Sequence, residues 1–447
     1  MKNVKKILAT LLIATLIVSV FVSCGKKDEA VVVRYLNFKP ESASIYEEIA
    51  KAYEEEKGVK VIVETAANNT YEQTLTAKMA TDEAPTLFQI NGPKGYANWK
   101  EYCKDLSNTE LYRHLTDKSL AITVDNKAYG IPYVVEGYGI IYNNAIMEKY
   151  FALSDKATDL TSAEEIVSFE QLKTVVEDMQ KHKDELGIDG VFASTSLKPG
   201  EDWRWQTHLA NIPIYYEFQK NNVDLTSSDT EKINFEFSDQ FKNIFDLYIN
   251  NSTVAPTTLG TKIVDDSMSE FALGKCAMVQ NGNWAWSQIS EVQGNTVQAD
   301  DIKYMPIYTG VEDEAGQGLC VGTENFYCIN AKATEEEQKA AEDFIYWLYS
   351  SDTGKDFVTN KLGFIAPFDT FEESETPEDP LAKEVLRWMK KDGVTSIPWN
   401  FTIFPSQTFK DDFGAALLQY AQGTKSWDDV KQLVIDEWAS ESAAAKS

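Results

Sequence analysis

The stretch VVVRYLNFKPESASIYEEIAKAYEEEKGVKVIV, Val31 to Val63, decides the fold. It opens on the run Val31 to Leu36, rich in β-branched residues that suit a pleated strand. Asn37 to Glu41 is a polar, proline-containing break. Ser44 and Glu47 stand at capping-box spacing. Ile45, Ile49, Ala52 and Tyr53 then fall on one helical face. Gly58 closes that helix, and Val59, Val61 and Val63 alternate as a second strand. Strand, helix and strand in this order make a β-α-β unit, whose crossover sets the strands parallel and right-handed.

The pattern continues outward. A helical run from Tyr71 to Met79 leads to Pro85 and a strand over Thr86 to Ile90, which ends in Asn91-Gly92-Pro93. Ligands of open parallel sheets sit beyond the carboxyl ends of the strands. By that rule Asn37 and Glu41, with Asn91, line one wall of a cleft. A second α/β series follows: helix from Phe169 to His182, strand-like Gly190 to Ser196, helices Phe241 to Ile249 and Ser267 to Leu273. The strand Cys276 to Gln280 ends at Asn281-Gly282-Asn283. Phe326 to Ile329 reads as a strand, Glu335 to Tyr349 as a helix, and three helical runs close the chain. The class is α/β. A chain of 447 residues exceeds one core of ~250–300, so two lobes are expected.

Composition narrows the partners. The formal charge is −28, with 70 acidic against 42 basic residues. So acidic a surface argues against nucleic acid and suits a neutral or cationic solute. Glu54-Glu55-Glu56 and Glu335-Glu336-Glu337 read as solvated helix faces. Cys103, Cys276, Cys320 and Cys328 lack zinc-site spacing. Cys320 and Cys328 flank Gly322-Thr323-Glu324, so they either pair across a hairpin or are small buried apolar side chains.

No nucleophile elbow, His-Glu-x-x-His, phosphate loop or Gly-x-Gly-x-x-Gly occurs, and His114, His182 and His208 are scattered. Neither catalysis, a metal nor a cofactor is expected. A glycosidase needs only two carboxylates, so that rival stays open. Tryptophan placement carries more information. Trp203 and Trp205 lie in the Lys198–Gln206 loop, Trp284 and Trp286 follow a strand end, and Trp399 sits in irregular Ile397–Pro405. Loops at strand ends present flat rings to ligands, and indoles beside Asn, Asp and Glu suit a sugar. One ring of each Trp-x-Trp pair is expected in the core, with Trp284 rather than Trp286 facing the cleft. Trp347, Trp388, Trp427 and Trp438 lie on helical patterns and read as core.

The N-terminus addresses the chain outside the cell. Lys2, Lys5 and Lys6 precede an apolar run from Ile7 to Val22, too short for the ~20 residues of a spanning helix. Val22-Ser23-Cys24 resembles the lipobox of bacterial lipoproteins, with Phe21 where that motif usually has Leu. The resemblance implies a signal over residues 1–23, a diacylglycerol on Cys24, and a tether over 24–29. Two acyl chains hold stably where one holds marginally.

Three further segments resemble one family: YGIPYVVEGYGIIYNN (Tyr129 to Asn144), FALGKCAMVQNGNWAWSQI (Phe271 to Ile289) and QYAQGTKSWDDV (Gln419 to Val430). They are similar to extracellular solute-binding proteins of carbohydrate ABC importers, maltose- and maltodextrin-binding proteins among them. The resemblance implies a two-lobed, periplasmic-binding-protein-like clamshell with three interlobe crossings, at 134–138, 304–309 and 361–367. One lobe would hold 30–133 and 310–360, the other 139–303 and 368–443. Glu136 matches the crossover carboxylate that bonds sugar hydroxyls, and Trp284 the stacking tryptophan, with Asn283 beside it. Asp202, Trp203 and Trp399 occupy ligand-facing segments. The Asp-Arg pair of maltose binders is replaced by Asn91-Gly92, which speaks against maltose itself. The implied function is capture of an oligosaccharide by a lipid-anchored monomer and delivery to a membrane permease. A cationic solute such as a polyamine or peptide is the alternative, since aromatic rings with carboxylates also hold ammonium.

Overall fold

The computed structural model describes residues 31–66, 70–225, 228–312, 314–372 and 374–444. The signal, Cys24 and the tether lie outside the described residues. Eleven strands are named in chain order: β1 (Val32–Asn37), β2 (Lys60–Thr65), β3 (Leu87–Asn91), β4 (Ile122–Val124), β5 (Lys127–Pro132), β6 (Glu136–Asn143), β7 (Met278–Gly282), β8 (Ile302–Met305), β9 (Gln317–Gly322), β10 (Asn325–Ile329) and β11 (Thr395–Pro398).

They form two sheets. The first runs β2-β1-β3-β10-β5-β4, with β1 parallel to β2 and β3, and β10 antiparallel between β3 and β5. The second runs β11-β9-β6-β7, with β8 also pairing β6. Both faces of each sheet are covered. In β6, Tyr138, Ile140 and Tyr142 enter one core while Ile141 enters the core opposite. In β10, Tyr327 and Ile329 face one core and Phe326 and Cys328 the other. This alternation is the two-residue period of a strand buried on both faces.

The opening β-α-β unit forms in register, Val33 opposite Val61 and Tyr35 opposite Val63. Its helix spans Ala43–Lys57 and ends at Gly58, φ 71°. The capping box expected of Ser44 and Glu47 does not form. A 3-10 turn over Pro40–Ser42 starts the helix earlier, placing Ser44 inside it. The strand expected over Gly190 to Ser196 shrinks to isolated bridges from Phe192 to Ser252 and Met278.

The crossings also differ from expectation. The chain passes from β5 to β6 through Tyr133–Val135. It returns between β9 and β10, at Thr323 and Glu324, not at 304–309, because β9 pairs with β6 and β11 of the second sheet. Residues 310–322 therefore belong to the second lobe. The last passage falls after Phe371. Phe368 bridges Leu115, and Phe368 and Phe371 pack in the first lobe, while Ile365, within 361–367, bridges Val135 and packs in a core of the second. The four described cysteines are free and buried. Cys320 is on β9 and Cys328 on β10, in different sheets, so no hairpin brings them together. No described helix is long and apolar enough to cross a membrane.

Candidate ligand-binding cleft

The carboxyl ends of β1 and β3 face the second lobe across a cleft, as strand direction requires. Lys39, just after β1, donates to Glu136 Oε1 at 2.6 Å and lies 3.6 Å from Glu41 Oε1. Burial opposes the lysine charge, but Glu136 and then Glu41 outweigh it and raise its pKa. A cavity of about 330 Å³ opens beside this pair, between the lobes. Glu41, Glu136, Asn283, Trp284, Trp286 and Asp379 are among its walls. Its size lies at the lower end of the ~300–1,000 Å³ usual for ligand pockets.

Next to the cavity the second lobe presents aromatic rings. The Trp284 centroid lies 6.0 Å from Trp203, 5.6 Å from His208 and 6.4 Å from Trp399. Two of these indoles rest on glycine. A Cβ on Gly282 would lie 2.1 Å from the Trp284 ring, and one on Gly322 2.6 Å from Trp399 Cγ. Only the missing side chain lets a ring lie against the strand there. His208 stacks on Tyr138 at 4.4 Å, and burial, then Arg204 and Lys410, holds its pKa far below the usual range. It is therefore a neutral ring among indoles.

Trp203 precedes and His208 lies within a π-helical stretch, Arg204–Leu209, leading into the helix Ala210–Lys220. Pro213 stands four residues beyond Leu209, where its ring crowds that carbonyl and lacks the N–H to bond it. The preceding turn widens accordingly.

The candidate residues separate into groups. Glu41, Glu136, Asn283 and Trp284 meet at the cavity, while Trp203 and Trp399 join Trp284 in the ring cluster. Trp399 is only 8% exposed and also serves the core. Trp205 is wholly core. Asn91 donates to Glu324 Oε1 at 2.5 Å. Two candidates point elsewhere. Asn37 is fully buried, and its amide bonds the Lys39 carbonyl and Thr65 Oγ1, fixing the loop. Asp202 packs on the Gln407–Ala421 helix, its Oδ2 occupying the place a Cβ on Gly414 would take. Burial there lifts it to about 6. Lys39, His208, Glu324 and Asp379 are the polar groups that sequence reasoning passed over. Lys39 alone lay within a segment already assigned to the wall.

The lobes also touch directly. The helix Gly92–Trp99 packs on the turn Phe401–Ile403, and Gly92 lies against Thr402. Among the described residues no group of three or more His, Cys, Asp or Glu is placed to hold a metal.

The family model for bacterial extracellular solute-binding proteins matches residues 48–384. The chain belongs to that family. Solved structures of the same shape extend over nearly all of this solute-binding protein. A chitin oligosaccharide binding protein shares 16% identity at TM-score 0.68, covering 92% of this chain and 98% of that one. RafE in complex with raffinose shares 18% at TM-score 0.67, covering 93% and 100%. A sugar transporter from Bacillus licheniformis in complex with stachyose shares 17% at TM-score 0.63, covering 92% and 100%. Identities this low carry the two-lobed fold and nothing finer. No curated protein matches the sequence. The family is one of extracellular binding proteins, which places this chain outside the cytoplasm.

Proposed function

We propose that this solute-binding protein captures a neutral oligosaccharide outside the cell and hands it to the permease of an ABC importer. The observation that carries the reading is the placing of Trp203 and Trp284 beside an interlobe cavity edged with Glu41, Glu136 and Asn283. Indole faces stack on the C–H faces of sugar rings, and carboxylates and amides bond the hydroxyls at their edges. Proteins of the same shape, named for chitin oligosaccharide or solved with raffinose and stachyose, support the ligand class.

The mechanism follows from the two walls. Sugar that touches both lobes binds the closed form better than the open one and shifts the population toward closure. The closed form is the one the permease receives. Two chains of diacylglycerol on Cys24 keep the monomer at the outer face of the membrane, lifted by the polar tether. The protein performs no chemistry on its ligand.

Tryptophan emission of the mature protein, titrated with neutral di- to hexasaccharides and with spermidine, tests the reading. A saturable shift with a saccharide and none with spermidine is expected. The reverse result overturns it. Mass analysis after prolonged incubation with a bound saccharide should find the saccharide intact.

A further inference from the structure

Cys103 and Cys328 bring two thiols into one small core of the first lobe, the core that holds Phe88, Ile90 and Trp99. Their sulfurs touch at 3.7 Å, although 225 residues separate them in the chain. Cys103 follows the turn Lys100–Tyr102 and bridges Asn330 in antiparallel fashion. Lys104 N donates to the Ile329 carbonyl and Ala331 N to the Tyr102 carbonyl, so the bridge is held on both sides. Cys328 stands on β10, two residues before Asn330, and so shares the face on which Cys103 lies. A bond would bring the sulfurs to about 2 Å, which side-chain rotation reaches from here.

The pair joins the two separate pieces of this lobe. Cys103 comes before the first crossing and Cys328 after the return, so a bond between them closes a loop around most of the second lobe. Closing so long a loop removes much of the freedom of the unfolded chain. Thiols inside the cytoplasm are kept reduced, whereas a chain that works outside it meets conditions in which disulfides form and persist. Cys276 and Cys320 are buried in two other cores, apart from this pair.

We infer that Cys103 and Cys328 are joined by a disulfide in the exported chain, which staples the returning strand β10 to the first segment of its lobe. The co-reactant is an extracellular disulfide compound. The thiolate of one cysteine attacks it, releasing one thiol and leaving a mixed disulfide, and the thiolate of the other then displaces the second thiol. The two protons given up by the cysteines end on the released thiols, and the compound gains the two electrons that the cysteines lose. Burial, with Cys103 beside it, pushes the Cys328 thiol well above its usual range, so little thiolate exists once the core is sealed. The bond therefore forms while the chain folds, whatever ligand the cleft later takes.

The test uses the mature protein recovered from outside the cell and quenched in acid. Its thiols are alkylated in denaturant, before and after reduction, and mapped by mass analysis. Cys276 and Cys320 should label at once, Cys103 and Cys328 only after reduction, and the unreduced digest should hold the two peptides joined. Reductant should lower Tm by roughly 5–10 °C and leave that of Cys103→Ala with Cys328→Ala unmoved. If that variant fails to fold, the labelling of the parent decides. Labelling of Cys103 and Cys328 without reduction, a cross-link through another cysteine, or a parent Tm indifferent to reductant would each overturn the inference.

Discussion

Lys39 Nζ and Glu136 Oε1, 97 residues apart in sequence, meet at 2.6 Å and tie the end of β1 in one lobe to the first residue of β6 in the other. Both side chains are nearly sealed from water. Removing one partner of such a pair strands the other charge, at about 3–5 kcal/mol, whereas removing both costs far less. Lys39→Met should therefore destabilise the protein more than Lys39→Met with Glu136→Gln. Urea unfolding of the two single variants and the double one gives the coupling directly. Additive losses would show that the pair is not coupled.

The two Trp-x-Trp pairs predict a division between affinity and stability. Trp284 is half-buried on the cavity wall, and Trp205 is 4% exposed within the core. Trp284→Ala should lower saccharide affinity by about 30-fold or more, a hot-spot loss of ~2 kcal/mol, with little change in Tm. Trp205→Ala should cost ~3–5 kcal/mol of stability. Calorimetric titration beside thermal unfolding separates the two. Equal effects on both quantities in both variants would refute the assignment of Trp284 to the cleft.

The anchor is tested apart from the fold. Cys24→Ser removes the thiol proposed to take the lipid and leaves the apolar run intact. The variant should move from the membrane pellet to the soluble extracellular fraction, because the acyl chains are what hold the proposed anchor. A variant that stays in the pellet would point to retention by something other than the acyl chains.

What was legible in the chain was local. The unit from Val31 to Val63 declared itself because alternation, helical spacing and a closing glycine all lie within one window, and the strands paired as that window implied. The return crossing was not legible. Gln317–Gly322 followed closely by Asn325–Ile329 reads as a hairpin, and it is the pairing of Cys320 with the distant Tyr138 and Ile397 that takes β9 into the other sheet. The site divides in the same way. Trp203 and Trp284 were visible from ring chemistry at strand ends. Nothing near Lys39 in sequence announces Glu136, and nothing near Asp202 announces Gly414. Contacts between distant segments leave no periodic trace in either one.

Closure predicts a steric test. Gly92 has φ +61° and faces Thr402 of the opposite lobe, where an added Cβ would lie 2.8 Å from Thr402 Cβ. Gly92→Ala brings a strained backbone of about 1 kcal/mol and a wedge at the meeting edge of the lobes. Ligand affinity should fall by about tenfold, and the ligand-induced decrease in radius of gyration should shrink. Small-angle scattering with and without saccharide measures this. An unchanged contraction would show that the lobes close without bringing Gly92 to Thr402.

Asp379 supplies the pH dependence. It lines the cavity, and its Oδ1 accepts from Ala382 N at 2.9 Å, capping the helix Pro380–Met389. Burial is the largest influence on it, and the nearby backbone N–H groups and Lys383 only partly offset this, so its pKa stands at about 7 against an ordinary 3.8. A carboxyl raised on folding binds its proton more tightly in the native state, so stability falls as pH rises from about 4 to about 7. Below that window the residue is protonated in both states and the difference vanishes. Asn caps a helix as well as Asp does and carries no charge. Asp379→Asn should therefore raise Tm at pH 8, with the gain shrinking to nothing by about pH 4. Thermal unfolding of both proteins across that range checks the sign. A variant less stable than the parent at pH 8 would mean that the ionised carboxylate at the helix N-terminus contributes more than its burial costs.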